Sequence, residues 1–187
     1  MRRLFLAAAL SAGLWRGPTQ GAASPQTNAA ERARQLAAQM SKTKHAIKEK
    51  RGVRVEKFKE IRSEPAVRSD PREYAGDYEA DMGFRLSLTV GAGGRVEGSG
   101  TDTSFEDGRR ARPFKLRDAR VEGALLTGTK VFDDGSTEWL EGVFINRTDR
   151  NDPQDPGTTA FGLGVVYEPP RPRDEGYTFN RLFYQKK

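Results

Sequence analysis

A chain of 187 residues without a single cysteine must hold its fold by core burial, which excludes disulfide staples, cysteine nucleophiles and thiolate metal sites. The length suits one ordinary domain with an appendage. The net charge of +6 is unevenly spread: residues 24–73 hold thirteen Lys/Arg against seven Asp/Glu, residues 74–187 sixteen against nineteen.

The N-terminus reads MRRLFLAAALSAGLW, with Arg2 and Arg3 ahead of a short apolar run and the small residues GAAS. That is the order of a secretory signal peptide, with cleavage expected after Ala23. The run is too short to span a bilayer, and no cysteine follows it for lipid attachment. The remainder is expected to be exported, to the periplasm or beyond, with no transmembrane span.

Residues 24–73 read as a basic helical or disordered arm. From Asn28 to about Lys50 the chain is free of glycine and proline and rich in helix formers, with Leu36, Met40 and Ile47 on one narrow stripe. Gly52 interrupts the pattern, and SEPAVRSDPREY, with two prolines, reads as a linker. Nine Lys/Arg lie between Lys42 and Arg62 against three Glu. Lys42, Lys44, Lys48, Lys50, Arg51 and Arg54 are candidate contacts to an anionic surface such as lipid headgroups, cell-wall polymer or a protein partner. The competing reading is a solvated charged face. Nucleic acid is disfavoured by export and by Phe58 being the only aromatic there. His45, the sole histidine, also falls in this arm and reads as a polar helix residue.

From Tyr74 onward the period changes to two. In FRLSLTV, Phe84, Leu86, Leu88 and Val90 alternate with Arg85, Ser87 and Thr89, the mark of a strand with one buried face. Further strands are predicted in RVEGSGT, RPFKLRD, ALLTGTKVF, STEWLEGVFINR, TTAFGLGVVYE and YTFNRLFYQ, separated by turns such as GAGG, DDGS and NDPQDPG. With a short strand near Tyr74–Tyr78 the count is about eight, and no helical pattern intervenes. An antiparallel up-and-down barrel over residues 74–187 is expected, with a sandwich as the alternative. An apolar-x-Gly triplet recurs at Val96–Gly98, Leu126–Gly128 and Leu140–Gly142, as at the bends of small barrels.

The stretch GDYEADMGFRLSLTVGAGGRVEGSG (Gly76–Gly100) resembles the first hairpin of calycin-like barrels, the avidin family above all. The shared plan is glycine, an aromatic two places on, a second glycine, an alternating strand, a glycine-rich turn and apolar-x-Gly. LEGVF (Leu140–Phe144) is loosely similar to a later avidin strand, and REYAGDYEADMGFRLSLTV is similar to small lipocalin-like domains appended to some serine hydrolases. The resemblance implies an eight-stranded barrel whose lumen either takes a small apolar ligand or is filled by side chains. It does not carry the biotin site: Ala80, Phe84 and Leu140 stand where that family places two polar residues and a tryptophan.

Catalytic and metal chemistries find little footing. The glycines of GAGGRVEGSG lack the Gly-Lys-Ser/Thr ending of a phosphate loop and precede a strand. Asp149, Asn151, Asp152 and Asp155 offer oxygen ligands, but Ala160 falls where a calcium loop needs a bidentate glutamate, and a plain turn explains them. Arg109, Arg110, Arg112, Lys115, Arg117 and Arg120 form a local basic patch that reads as a solvated strand face. No cofactor or metal is called for. The leading expectation is an exported, non-enzymatic cell-envelope binding module taking a small, largely apolar ligand, with Tyr78, Phe84, Leu86, Leu140 and Phe144 as inward wall positions. The alternative is an interaction or scaffold protein whose basic arm docks on anionic envelope polymer or a partner protein. A hydrolase using paired carboxylates stands third.

Overall fold

A computed structural model describes residues 28–50, 52–105, 108–173 and 176–187; the expected leader and Arg51 lie outside them. In β4 (Arg85–Val90), Leu86, Leu88 and Val90 are buried while Arg85, Ser87 and Thr89 face solvent, as the alternation requires. The same rule builds β3 (Gly76–Glu79), β5 (Arg95–Ser104), β6 (Arg110–Glu122), β7 (Leu125–Phe132), β8 (Thr137–Arg150), β9 (Thr158–Pro172) and β10 (Thr178–Lys186). Each pairs antiparallel with the next, and β10 returns to β3 through Gln185↔Glu79 and Lys186↔Tyr78. The meander therefore closes into the predicted eight-stranded up-and-down barrel, and closure removes the exposed edges an open sheet would carry. The GAGG segment is its β4–β5 turn: Gly91 N–H donates to Arg95 O at 2.9 Å, and Gly94 holds φ +76°.

Buried side chains cluster inside the barrel. Gly98, Gly100, Gly128 and Gly142 alternate with buried apolar residues on the inward faces of their strands and make room for larger neighbours. A Cβ on Gly100 would sit 2.5 Å from the Phe114 ring, and one on Gly128 would sit 2.7 Å from Ala119 Cβ. Tyr74, Phe144 and Phe161 stack at one end, with Tyr74 and Phe144 centroids 4.2 Å apart. The proline-bearing linker ties into this end. Ala66 N–H donates to Phe144 O at 2.8 Å, and the Tyr74 hydroxyl donates to Ala66 O at 2.8 Å.

The basic arm differs from its helical expectation. Helix α1 (Ala29–Met40) is real, capped by the Asn28 side chain accepting from Ala30 N–H at 2.9 Å. It ends at Met40, not Lys50: β1 (Lys42–Lys50) and β2 (Val53–Pro65) form an antiparallel ribbon. Ser41 makes the switch, its hydroxyl donating to Ala37 O and accepting from Ser63 N–H. As a helix, Lys42–Lys50 had only Ile47 to bury, so backbone pairing with β2 outweighs a weak intrinsic propensity. The inner part of β2 continues the barrel wall, Glu60–Pro65 pairing with Ile145–Arg150 of β8.

Helix α1 lies on the outside of β8 and β9, burying Ala33, Leu36, Ala37 and Met40. Gly164 gives it the space: a Cβ there would stand 2.9 Å from Met40 Cγ and 3.2 Å from Ile145 Cδ1. The Arg32 guanidinium clamps the first turn to Glu141, with Nε 3.0 Å and the terminal nitrogen 2.5 Å from its oxygens. Among the described residues no helix is long and apolar enough to cross a membrane.

Candidate functional site

The five positions expected to wall a pocket all lie inward and come together as core. Tyr78, Phe84, Leu86, Leu140 and Phe144 are 0–3 % exposed. Phe84 packs edge-on against Tyr184 and Phe179, and Tyr78 tilts against Phe144. The Tyr78 hydroxyl, expected as a polar handle, donates to Tyr74 O at 2.5 Å. Burial pushes its phenol far above the usual range, so it stays a neutral donor.

Sequence reasoning missed the polar centre of the barrel. At the end opposite the aromatic stack, Lys130 Nζ lies 2.9 Å from Asp102 Oδ2 and 3.4 Å from Glu138 Oε1. Arg171 bonds the same Asp102 oxygen at 3.2 Å and also pairs with Glu138. Two cations thus meet two carboxylates, with Lys130 and Asp102 1–2 % exposed. Arg171 lies 4.0 Å over the Tyr167 ring, and Lys130 5.0 Å from the Phe114 centroid. Burial works against the Lys130 charge, but Tyr167, Asp102 and Glu138 overcome it and hold its pKa above the ordinary value. The Tyr167 hydroxyl makes no hydrogen bond of acceptable geometry, though it lies near enough to act on the Tyr184 phenol. The signal was present in the sequence: Asp102 and Lys130 occupy inward parities of strands otherwise apolar on that face. Asp102 and Glu138 converge at this end of the barrel, and both are occupied by cations, Asp102 buried and Glu138 at the edge of the groove that Trp139 borders.

The ribbon sorts its charge by face. Lys44 stands directly across from Lys59, Lys42 from Ile61, and Ala46 from Lys57, so the four lysines share one face. No ion pair among the described residues includes any of them. The opposite face carries Thr43, His45, Ile47, Phe58 and Glu60. His45 meets Phe58 edge to face at 6.2 Å, in a strand rather than the expected helix. Glu60 is taken by Arg150, 3.1 Å away at the barrel wall. Lys48, Lys50 and Arg54 are backbone positions nearer the tip, in register with Val55, Val53 and Glu49.

Other sequence candidates resolve into local structure. In the β6 patch, Arg112 stacks on Phe132 at 4.0 Å, Arg117 pairs with Asp118, and Arg120 with Glu122. Asp149 pairs with Arg147, while Asp152 and Asp155 accept from the backbone of Gln154 and Gly157. Trp139 is 63 % exposed. It borders a groove of about 650 Å³ between α1 and the Pro169–Pro172 end of β9. A second, charged groove of about 880 Å³ runs beside Glu79–Gly83 and is walled by Arg147, Arg173 and Arg181. Comparison with family models, with curated proteins and with solved structures found no match to this chain.

Proposed function

We propose that this chain is a non-enzymatic docking module of the cell envelope, its barrel a rigid mount and its basic ribbon the contact to an anionic envelope polymer or lipid surface. One observation carries the reading: among the described residues Lys42, Lys44, Lys57 and Lys59 share one ribbon face without an acidic partner, while Glu60, on the opposite face, is spent on Arg150. Like charges directly across a ribbon weaken it. A sequence that sets Lys44 against Lys59 therefore gives up ribbon stability for a field that attracts polyanions. Export rests on the MRRLFLAAAL leader. A small apolar ligand in the lumen has less support, because its expected walls are buried in the core, with Tyr78 against Phe144 and Phe84 against Tyr184 and Phe179, and a buried ion cluster sits at the other end.

The test is co-sedimentation of the chain with phosphatidylglycerol vesicles, neutral phosphatidylcholine vesicles and isolated envelope fragments across a salt series. Binding to the anionic vesicles and fragments should fall steeply with salt. Each lysine near such a surface contributes about 1 kcal/mol. The quadruple variant Lys42→Gln, Lys44→Gln, Lys57→Gln, Lys59→Gln should therefore lose on the order of a hundredfold or more in affinity. Equal binding by the variant, or salt-independent binding, would refute the reading.

A further inference from the structure

The groove beside Trp139 is a second, separate site, and its chemistry differs from the ribbon's. We infer that it binds a neutral saccharide, with the Trp139 indole as the stacking platform. Trp139 stands on the outer face of β8, across from Thr129 of β7, and leaves most of its ring to solvent. An indole is the costliest side chain to leave wet. Pro169 and Pro170 form part of the facing wall, so the groove has two rigid apolar sides. Its volume of about 650 Å³ falls in the range of about 300–1,000 Å³ usual for small-molecule sites.

The polar groups of the groove select against anions. Arg32 is bound by Glu141 and Arg171 by Glu138, so both cations are already neutralised. Glu168 leaves one negative charge in excess, which repels phosphates, carboxylates and acidic sugars. Gln39, half-buried on α1, makes no side-chain hydrogen bond among the described residues and offers a free amide donor and acceptor. The Glu141 oxygens, fixed in place by Arg32, retain lone pairs for a further donor. A ligand matched to this set has an apolar face to lie on the indole, hydroxyls around its rim, and no negative charge. A pyranose ring meets all three demands: its C–H face stacks on an aromatic plane while its equatorial hydroxyls reach Gln39 and Glu141.

The full chain carrying Trp15→Phe has Trp139 as its only tryptophan, so intrinsic fluorescence reports the groove alone. It is titrated with neutral oligosaccharides (chitotetraose, maltotetraose, cellotetraose), with deca-proline, and with tetramethylammonium. Saturable blue-shifted emission with at least one of the neutral oligosaccharides, and with neither other probe, is expected. By calorimetry on the chain with Trp15 intact, Trp139→Ala should weaken that binding roughly tenfold or more, Trp139→Tyr should retain part of it, and Gln39→Ala should have a smaller effect. The Trp139→Ala melting curve should match the parent's, since the ring packs little. Saturation by deca-proline or tetramethylammonium, or no response to any of the three oligosaccharides, would overturn the assignment.

Discussion

The barrel and the ribbon are written in the same period of two, yet they put it to opposite uses. In β4 and β7 the alternation gathers apolar side chains on one face, which closure of the barrel then buries. In β1 and β2 it gathers lysines on one face, where Lys42, Lys44, Lys57 and Lys59 are exposed among the described residues. Charge inside the barrel is cancelled at short range, as in the Asp102–Lys130–Glu138–Arg171 cluster. Charge on the ribbon is left uncancelled. Buried charge should therefore govern stability, and ribbon charge should govern binding.

The sharpest way to break that contrast is Lys130→Met. It leaves Asp102 beside Arg171 alone, with Glu138 farther out, and a carboxylate stripped of its buried partner costs about 3–5 kcal/mol. Urea unfolding should show that loss, while Lys130→Met with Asp102→Leu should recover much of it, since a buried pair replaced by apolar groups is often neutral. A loss below 1 kcal/mol for the single variant would mean that the cluster is not a closed ion network.

Alkaline pH probes the same interior without mutation. Tyr78, Tyr167 and Tyr184 have phenols raised by burial above all, and Lys130 is raised as well. For each, the folded pKa exceeds the unfolded one, so the stabilisation is complete below about pH 10 and is lost as pH climbs through the folded values. The unfolding midpoint should hold up to about pH 10 and then decline. Tyrosinate absorbance from these three rings should appear only together with loss of the near-ultraviolet dichroism. Full tyrosine titration in an intact fold would contradict their burial.

Where helix meets barrel, Gly164→Leu tests whether α1 is docked or merely adjacent. The new side chain would collide with Met40 and Ile145, and overpacking of this kind costs about 1–3 kcal/mol. Combining it with Met40→Ala should return part of the loss, because the collision is with that side chain. The pattern FGLGVVYE displays Leu163, Val165 and Tyr167 on one face and the two glycines on the other, and that much was legible from the alternation alone. What the glycines are for was not, because a Cβ-free strip has no periodic apolar signal; Gly164 makes room for a helix more than a hundred residues earlier, and Gly162 for the Phe183 ring of β10.

Legibility fails at the ribbon for a related reason. The barrel strands announce themselves by hydrophobic alternation, whereas KTKHAIKEK alternates in charge, with Lys42, Lys44, Lys48 and Lys50 at even positions. A search for apolar period sees only Ile47 and falls back on composition, which favours a helix. The expected lumen positions are buried on inward faces, but what lies between them was not legible, because it is set by side chains from distant strands such as Phe179 and Tyr184, which pack on Phe84. Strand parity specifies direction; it does not specify how far apart opposite walls stand.

The smallest expected effect is also the most discriminating. The quadruple lysine-to-glutamine variant of the ribbon should leave the barrel's unfolding free energy within about 0.5 kcal/mol of the parent, as surface changes usually do. Removing the Lys44–Lys59 opposition should, if anything, strengthen the ribbon by a few tenths of a kcal/mol, the usual scale for a cross-strand pair. Amide exchange resolves the two regions: protection should rise slightly at Thr43–Ile47 and Phe58–Glu60 and stay unchanged at Leu86–Val90 and Leu140–Phe144. A uniform loss of protection through β8 would show instead that the lysines hold the barrel together through β2. The division between a charge-cancelled mount and a charge-bearing ribbon would then be wrong.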